Sequence, residues 1–247
     1  MRGEAGFPVR VHFTEFGKVR FISHRDAARA FERAFRIEQL PLAFTLGFSP
    51  RPKVSFGLAL SVGHESDAEY LDFELAEEIP LEPLAAALSA ALPEGIDVPA
   101  VVALADRAPA LQEAVSAVEW NIELTVDGEV AGTQTITPEI VEHRVETLMA
   151  APTLVLERVR KGRTASEDIR PAFRRMTVLG PTENGILVGV ELATRPMSVR
   201  PAELVAALGS EFREGRVRRT RQWIERGSER LDPLEADPRI ALEARAS

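Results

Sequence analysis

Residues 9–40 read VRVHFTEFGKVRFISHRDAARAFERAFRIEQL, and two periods meet in them. Val9, Val11 and Phe13 alternate with Arg10 and His12, the period of a half-buried strand. Thr14-Glu15-Phe16-Gly17 is turn-like. Val19 and Phe21 then alternate with Lys18 and Arg20, so the reading is a hairpin whose outward face carries Arg10, His12, Lys18 and Arg20. At Ser23 the period changes. Ser23 is a good N-cap, and Asp26 three residues on completes a capping-box pattern. Ala27, Ala30, Phe31, Ala34 and Phe35 follow at helical spacing, with Arg29, Glu32, Arg33 and Arg36 on the opposite face. The helix is expected to end near Gln39, before Pro41. A one-sided strand beside a one-sided helix implies helices layered on a sheet.

The same alternation of periods continues outward. Residues 42–46 and 54–60 read as short extended segments, 68–75 as a strand, 84–92 as a helix stopped by Pro93 and Gly95, and 96–104 as a strand. The order is strand, helix, strand, strand, helix, strand, the ferredoxin-like arrangement. The second half is read as a repeat of that order. Residues 118–126 form a strand, and Thr137-Pro138-Glu139 opens a helix running to about Ala150. Residues 154–160 form a strand and 161–171 a polar loop. Strands at 173–179 and 186–192, a helix at 201–208 and a strand at 217–224 complete it. The expected fold class is α+β, two tandem ferredoxin-like (βαββαβ) lobes with antiparallel sheets. The expected domains are residues 1–108 and 109–226, with 227–247 as a flexible tail.

Composition narrows the chemistry. The chain has 247 residues and no cysteine. Disulfides, thiolate nucleophiles and cysteine-held zinc or iron–sulfur groups are therefore excluded. No apolar run approaches the ~20 residues of a membrane span, and no signal-peptide core is seen in residues 1–9. The expectation is a cytoplasmic location with no membrane partner. Net charge is −8, but residues 1–60 carry +5, residues 61–150 carry −17 and residues 151–230 carry +6. Two basic segments thus flank an acidic one. A fold that gathers the basic segments would suit a polyanion despite the acidic total.

Several segments are candidates for a binding role. In Gly47-Phe48-Ser49-Pro50-Arg51-Pro52-Lys53 the prolines stiffen a loop that presents Arg51 and Lys53. Cations beside the Phe48 and Phe56 rings match the needs of single-stranded nucleic acid, charge for phosphate and a π-face for a base. The alternative is a rigid connection with core phenylalanines. Ser23-His24-Arg25-Asp26 sits at a helix start, where exposed amides suit an anion, although capping alone also explains Ser23 and Asp26. Lys161, Arg163 and Arg170 share the long loop of the second half. Arg216, Arg218, Arg219 and Arg221 surround Trp223. The only lysines, Lys18, Lys53 and Lys161, all fall in such loops. The four histidines show no metal-ligand spacing, and no phosphate loop, dinucleotide fingerprint or nucleophile elbow occurs.

Residues 11–17, Val19-Arg20-Phe21, Ser23-His24-Arg25-Asp26, the 47–53 loop with Ser55-Phe56, residues 65–75, Lys161-Gly162 and Asp168-Ile169-Arg170-Pro171 together resemble a family of uncharacterised proteins linked to radical S-adenosylmethionine enzymes. In that family the domain follows such an enzyme or is encoded separately, often beside a ribonuclease of the E/G type. The resemblance implies a radical-SAM enzyme or an RNase E/G-type ribonuclease as partner, and RNA as ligand. It gives no cofactor for this cysteine-free chain. The leading expectation is a non-catalytic RNA-binding or substrate-presenting accessory protein whose anion-binding residues are Arg10, His12, Lys18, Arg20, His24, Arg25, Phe48, Arg51, Lys53, Lys161, Arg163 and Arg170. They would converge on one groove between the lobes. The alternatives are a protein-interaction subunit docking through the acidic 61–82 stretch, and a hydrolase or transferase using His24, Asp26 or His64.

Overall fold

The computed structural model describes residues 6–104, 109–126, 136–160 and 162–236. The chain forms two compact units. Unit 1 comprises residues 1–115 and 222–247, and unit 2 comprises residues 116–221. The fold is mixed α+β, with five α-helices among the described residues and mainly antiparallel sheet.

Unit 1 is built on strand β1 (Phe7–Glu15). It pairs antiparallel with β3 (Glu65–Leu75) on one side and with β4 (Ile96–Ala103) on the other, and the short β2 (Val54–Phe56) adds to β3. Helix α1 (His24–Ile37) covers one face. Ser23 Oγ accepts from the Asp26 amide, the Asp26 carboxylate accepts from the Ser23 amide, and Ala27, Phe31, Ala34 and Phe35 are buried. The capping box and apolar stripe expected from sequence are therefore both present. The helix stops where Gln39 takes φ +51. Helix α2 (Leu84–Ala91) lies on the same core, where Leu88 meets Val9, Val11, Phe13, Leu71, Phe73 and Ile96. A short α3 (Leu111–Ala114) follows β4.

The expected hairpin is not formed. Residues Gly17–Phe21 make a 3-10 turn, entered through Gly17 at φ +67. The reason lies outside the segment. Glu15 already pairs with Ser66 on one side and Ile96 on the other, so β1 has no free edge for a returning strand. The 42–46 segment is likewise reduced to isolated bridges, Leu42 with Leu75 and Phe44 with Pro52.

Unit 2 contains β5 (Ala117–Val126), α4 (Pro138–Ala150), β6 (Val155–Arg160), β7 (Arg163–Asp168), β8 (Phe173–Pro181), β9 (Ile186–Ala193) and α5 (Pro201–Leu208). Strand β10 (Phe212–Arg226) begins in unit 2 and ends in unit 1. The sheet of unit 2 runs β10-β5-β9-β8. Residues 161–171 are not a polar loop as expected. Most of that span pairs back on β6 as β7, with Gly162 at φ +76 in the turn. This separate two-stranded sheet makes the second half more than a repeat of the first.

The tail expected at 227–247 is structured in its first part. Strand β11 (Glu229–Leu231) pairs with β10. Beyond it, the Asp232 carboxylate accepts from the Tyr70 hydroxyl at 3.0 Å, the Pro233 carbonyl accepts from Arg10 at 2.8 Å, and Ala236 is buried. Leu234 packs against Ala68, Tyr70 and Leu111. Residues 237–247 lie outside the described residues. A chain ending at Ser228 leaves the Arg10 and Tyr70 donors without these acceptors and uncovers the Leu234 contact. Urea unfolding of that chain should show a loss of about 2–4 kcal/mol.

Candidate nucleic-acid interface

The two most exposed large apolar side chains among the described residues of unit 1, Leu46 and Phe48, share one loop with Phe44. Phe44, Leu46 and Phe48 are 51%, 81% and 105% exposed, and Arg51 is exposed beside them. The loop is nonetheless pinned at its base. The Thr45 amide donates to the Arg51 carbonyl, the Arg51 amide to Thr45 Oγ1, and the Lys53 amide to the Ala43 carbonyl. Pro50 and Pro52 restrict what remains. Phe48 is thus a solvent-facing ring rather than a core phenylalanine. Phe56, the other flanking ring, is half-buried against Phe13 and Phe31.

A second exposed group surrounds the start of α1. Lys18, His24 and Arg25 face solvent, and Phe21 is 62% exposed with the Arg20 guanidinium 4.7 Å from its ring centroid. Arg20 also pairs with Glu65 at 3.0 Å. His24 stands edge-on to Phe56 at 5.1 Å.

Other candidate cations are engaged within the protein. Arg10, placed on an outward face by the strand pattern, is buried; it forms a bidentate pair with its cross-strand partner Asp72, at 2.7 and 2.8 Å. Lys53 is paired with Glu74. Arg170 donates to the carbonyls of Met149, Ala151 and Phe173, closing the C-terminal end of α4 where a cation opposes the helix dipole. The neighbouring Asp168 accepts from the Leu154 and Arg170 amides, which hold its carboxyl below the usual carboxylate range. His12 stacks on Tyr70 with a ring nitrogen against the Asp67 carbonyl. In the basic run of β10, Arg219 is buried with its guanidinium over Trp120. Lys161 and the side chain of Arg163 lie outside the described residues.

The acidic 61–82 stretch is not a single docking face. Glu65 and Glu69 are buried, Asp72 and Glu74 hold Arg10 and Lys53, while Glu77, Glu78 and Glu82 are exposed. The residues offered for acid–base chemistry are not assembled either. Asp26 is spent on the cap and on Arg29, His24 makes no hydrogen bond to it among the described residues, and His64 is buried. No group of three or more histidines and carboxylates among the described residues is placed to hold a metal ion.

One feature escaped the sequence reading. A small recess of about 10 Å³, room for little more than one water molecule, lies at the end of the unit 1 core and is lined by Phe13, Glu15, Arg20, His24, Phe56 and Glu69 among others. Glu15 and Glu69 are 8% and 5% exposed. The signal was present, since both stand where the alternation of core residues calls for an apolar side chain.

These features define an α+β protein with an exposed aromatic–cationic loop and a polar recess. The chain belongs to the family described as "Uncharacterized protein conserved in bacteria (DUF2344)", whose model matches residues 9–201. In solved structures it is similar to a chain of "Crystal Structure of a Cbf5-Nop10-Gar1 Complex", with 12% identity and a TM-score of 0.48 over 90% of this chain and 54% of that one. It is also similar to a chain of "Crystal structure of the archaeal box H/ACA sRNP Nop10-Cbf5 complex", with 11% identity and a TM-score of 0.45 over 88% of this chain and 48% of that one. The chain spans about half the length of these two. No curated protein matches it.

Tyr70 offers a direct check on the tail contact. Burial first, then the Asp232 carboxylate, push its hydroxyl far above the ordinary phenol value. It is the only tyrosine in the chain, so phenolate absorbance reports it alone. The folded protein should show no ionisation step near pH 10, while the unfolded chain should titrate there. Because the folded value is the higher one, this contribution to stability is complete below about pH 10 and is lost as pH rises beyond it. A folded-state step at pH 10 would contradict the Asp232 contact.

Proposed function

We propose that the protein is a non-catalytic RNA-binding accessory protein, and that the 44–51 loop of unit 1 is a contact for single-stranded RNA. The observation that carries this is the Phe48 ring, 105% exposed on a hydrogen-bonded, proline-stiffened loop that also presents Arg51. A fully exposed phenylalanine adds nothing to the core. On a loop already held in place it loses little entropy when a base stacks on it. Stacking of this kind contributes ~1–3 kcal/mol per base. Lys18 and Arg25 are further exposed cations of unit 1, and Lys161 and Arg163 are retained as contacts within the proposal.

The resemblance to radical-SAM-linked proteins supplies the setting: a subunit that presents RNA to a radical-SAM enzyme or an RNase E/G-type ribonuclease. Within this reading each unit is a variation on the ferredoxin-like arrangement. The spatial orders β4-β1-β3-β2 and β10-β5-β9-β8 support it. A second reading, docking of a protein partner, draws on Phe44, Leu46 and Phe48 standing at alternate positions of one segment.

Fluorescence anisotropy with a short labelled oligouridine tests the first reading. Phe48→Ala should weaken binding by about 10-fold while leaving its salt dependence unchanged. Arg51→Ala should lower the slope of log K against log salt by ~0.7, the share of one phosphate contact on a single strand. Both side chains are exposed, so neither change should disturb folding. Equal affinity for the parent and both variants would remove the RNA reading. Nuclease-resistant capture of a defined partner that Phe48→Ala abolishes would establish the second.

A further inference from the structure

Helix α1 turns four arginines to solvent. Arg25, Arg29, Arg33 and Arg36 are all exposed, and the helical period places them within about a quarter of the circumference. Arg25, Arg29 and Arg33 stand about 6 Å apart along the axis, and the row of four spans ~16 Å. The row is unfavourable to the helix itself. Like charges one turn apart repel, and Arg25 lies in the first turn, where the helix dipole disfavours a cation. Solubility does not call for it either. The chain carries a net charge of −8, and the exposed face of α4 follows that balance, with Glu139, Glu142 and Glu146 against Arg144. Among the described α-helices, α1 alone has more basic than acidic residues. Internal partners leave the row accessible. Among the described residues Arg25 and Arg33 make no hydrogen bond or ion pair, and Arg36 donates to the Glu32 carbonyl of its own helix. The Arg29–Asp26 pair at 3.2 Å is open to solvent on both sides, where such pairs contribute little.

Arginines spaced in this way suit a flexible polyanion, since neighbouring guanidinium groups can each take a neighbouring phosphate. The two ends of α1 select among polyanions. Before its N-terminus Phe21 is 62% exposed, with Lys18 exposed nearby. Beyond its C-terminus lies the 44–51 loop. Phe35, near the end of α1, packs on Phe73, Leu42 pairs with Leu75, and Phe48 and Arg51 follow. An acidic polypeptide has no base to lay on these rings, whereas a single-stranded nucleic acid offers one at every step. We propose that the outer face of α1 is a backbone track for single-stranded RNA, with Arg25, Arg29, Arg33 and Arg36 on successive phosphates. Phe21 takes a base at one end of the track and the 44–51 loop takes one at the other. The track rests on the reading of that loop as an RNA contact, and it defines the ligand. The helix of 14 residues is ~21 Å long, so the ligand is a strand of several nucleotides. It is held by phosphate charge and stacking, contacts that do not read sequence.

Anisotropy of the whole chain with a labelled oligouridine of about 12 nucleotides, followed across a salt series, tests the track. The variant Arg29→Gln/Arg33→Gln/Arg36→Gln should lower the slope of log K against log salt by ~2, three phosphate contacts at ~0.7 each, and weaken binding at least ~10-fold at low salt. Its thermal midpoint should not fall, because repulsion along the helix is relieved; a structural role for the row would lower it. Arg33→Gln alone, which breaks no contact among the described residues, should lower the slope by ~0.7. A slope equal to the parent's in both variants overturns the inference. Phe48→Ala with the parent's affinity would instead remove the loop contact while the arginine variants still lose slope, so the two failures are distinguishable. A parent that binds no oligouridine at low salt ends both. Polyglutamate is the base-free control. If it displaces the labelled strand as well as unlabelled oligouridine does at equal charge, the face belongs to acidic polypeptides and the RNA track is overturned.

Discussion

Strand β1 is paired along both edges, and the rest of unit 1 is arranged around that constraint. On one face Val9, Val11 and Phe13 meet α1 and α2. On the other, Arg10 lies opposite Asp72 and His12 opposite Tyr70. That second face is covered in part by the chain's return, where Asp232 and Pro233 accept hydrogen bonds from Tyr70 and Arg10. The double pairing also forces the chain leaving Glu15 into a 3-10 turn. This turn brings Lys18 and Phe21 to the surface and Arg20 to the recess. Candidate functional groups therefore sit where the pairing stops.

The division of labour among the arginines follows from the same physics. Arg10 is enclosed, and its charge is tolerated because Asp72 offers both oxygens and Pro233 a carbonyl. Arg170 gathers three carbonyls at the end of a helix. Arg158 in β6 joins Glu167 and Glu203, and those two carboxylates hold its proton more firmly than in water. Arginine is suited to such posts because its planar fork serves several acceptors at once. The same geometry makes these residues unavailable to a ligand. Basic residues in sequence are therefore a poor count of basic surface.

What was legible in the sequence was local. The Ser23–Asp26 cap, the apolar stripe of α1, the Thr137 cap with Pro138 of α4 and the stiff proline loop each depend on neighbours a few residues away. What was not legible depended on distant partners. The 17–21 segment alternates like a strand, but no edge was free to receive it. Arg10 looked exposed because its partner lies 62 residues on. Residues 163–168 looked like a polar loop because their strand partner, β6, carries the pairing while few apolar side chains mark it. Phe48 is legible from the chemistry of its own loop, while Glu15 and Glu69 stand at inward strand positions that only apolar side chains make legible by alternation.

The discontinuity of unit 1 bears on how the chain is made. Arg10 and Pro233 are 223 positions apart, and the buried Gln222 donates to the Ala68 carbonyl. A polypeptide emerging from the ribosome presents β1 and β3 early, yet the groups that satisfy Arg10 and Tyr70 arrive only after all of unit 2 has been synthesised. Unit 2 is contiguous and has no such wait. Vectorial synthesis thus favours completion of the inserted unit first, with the earlier one closing last.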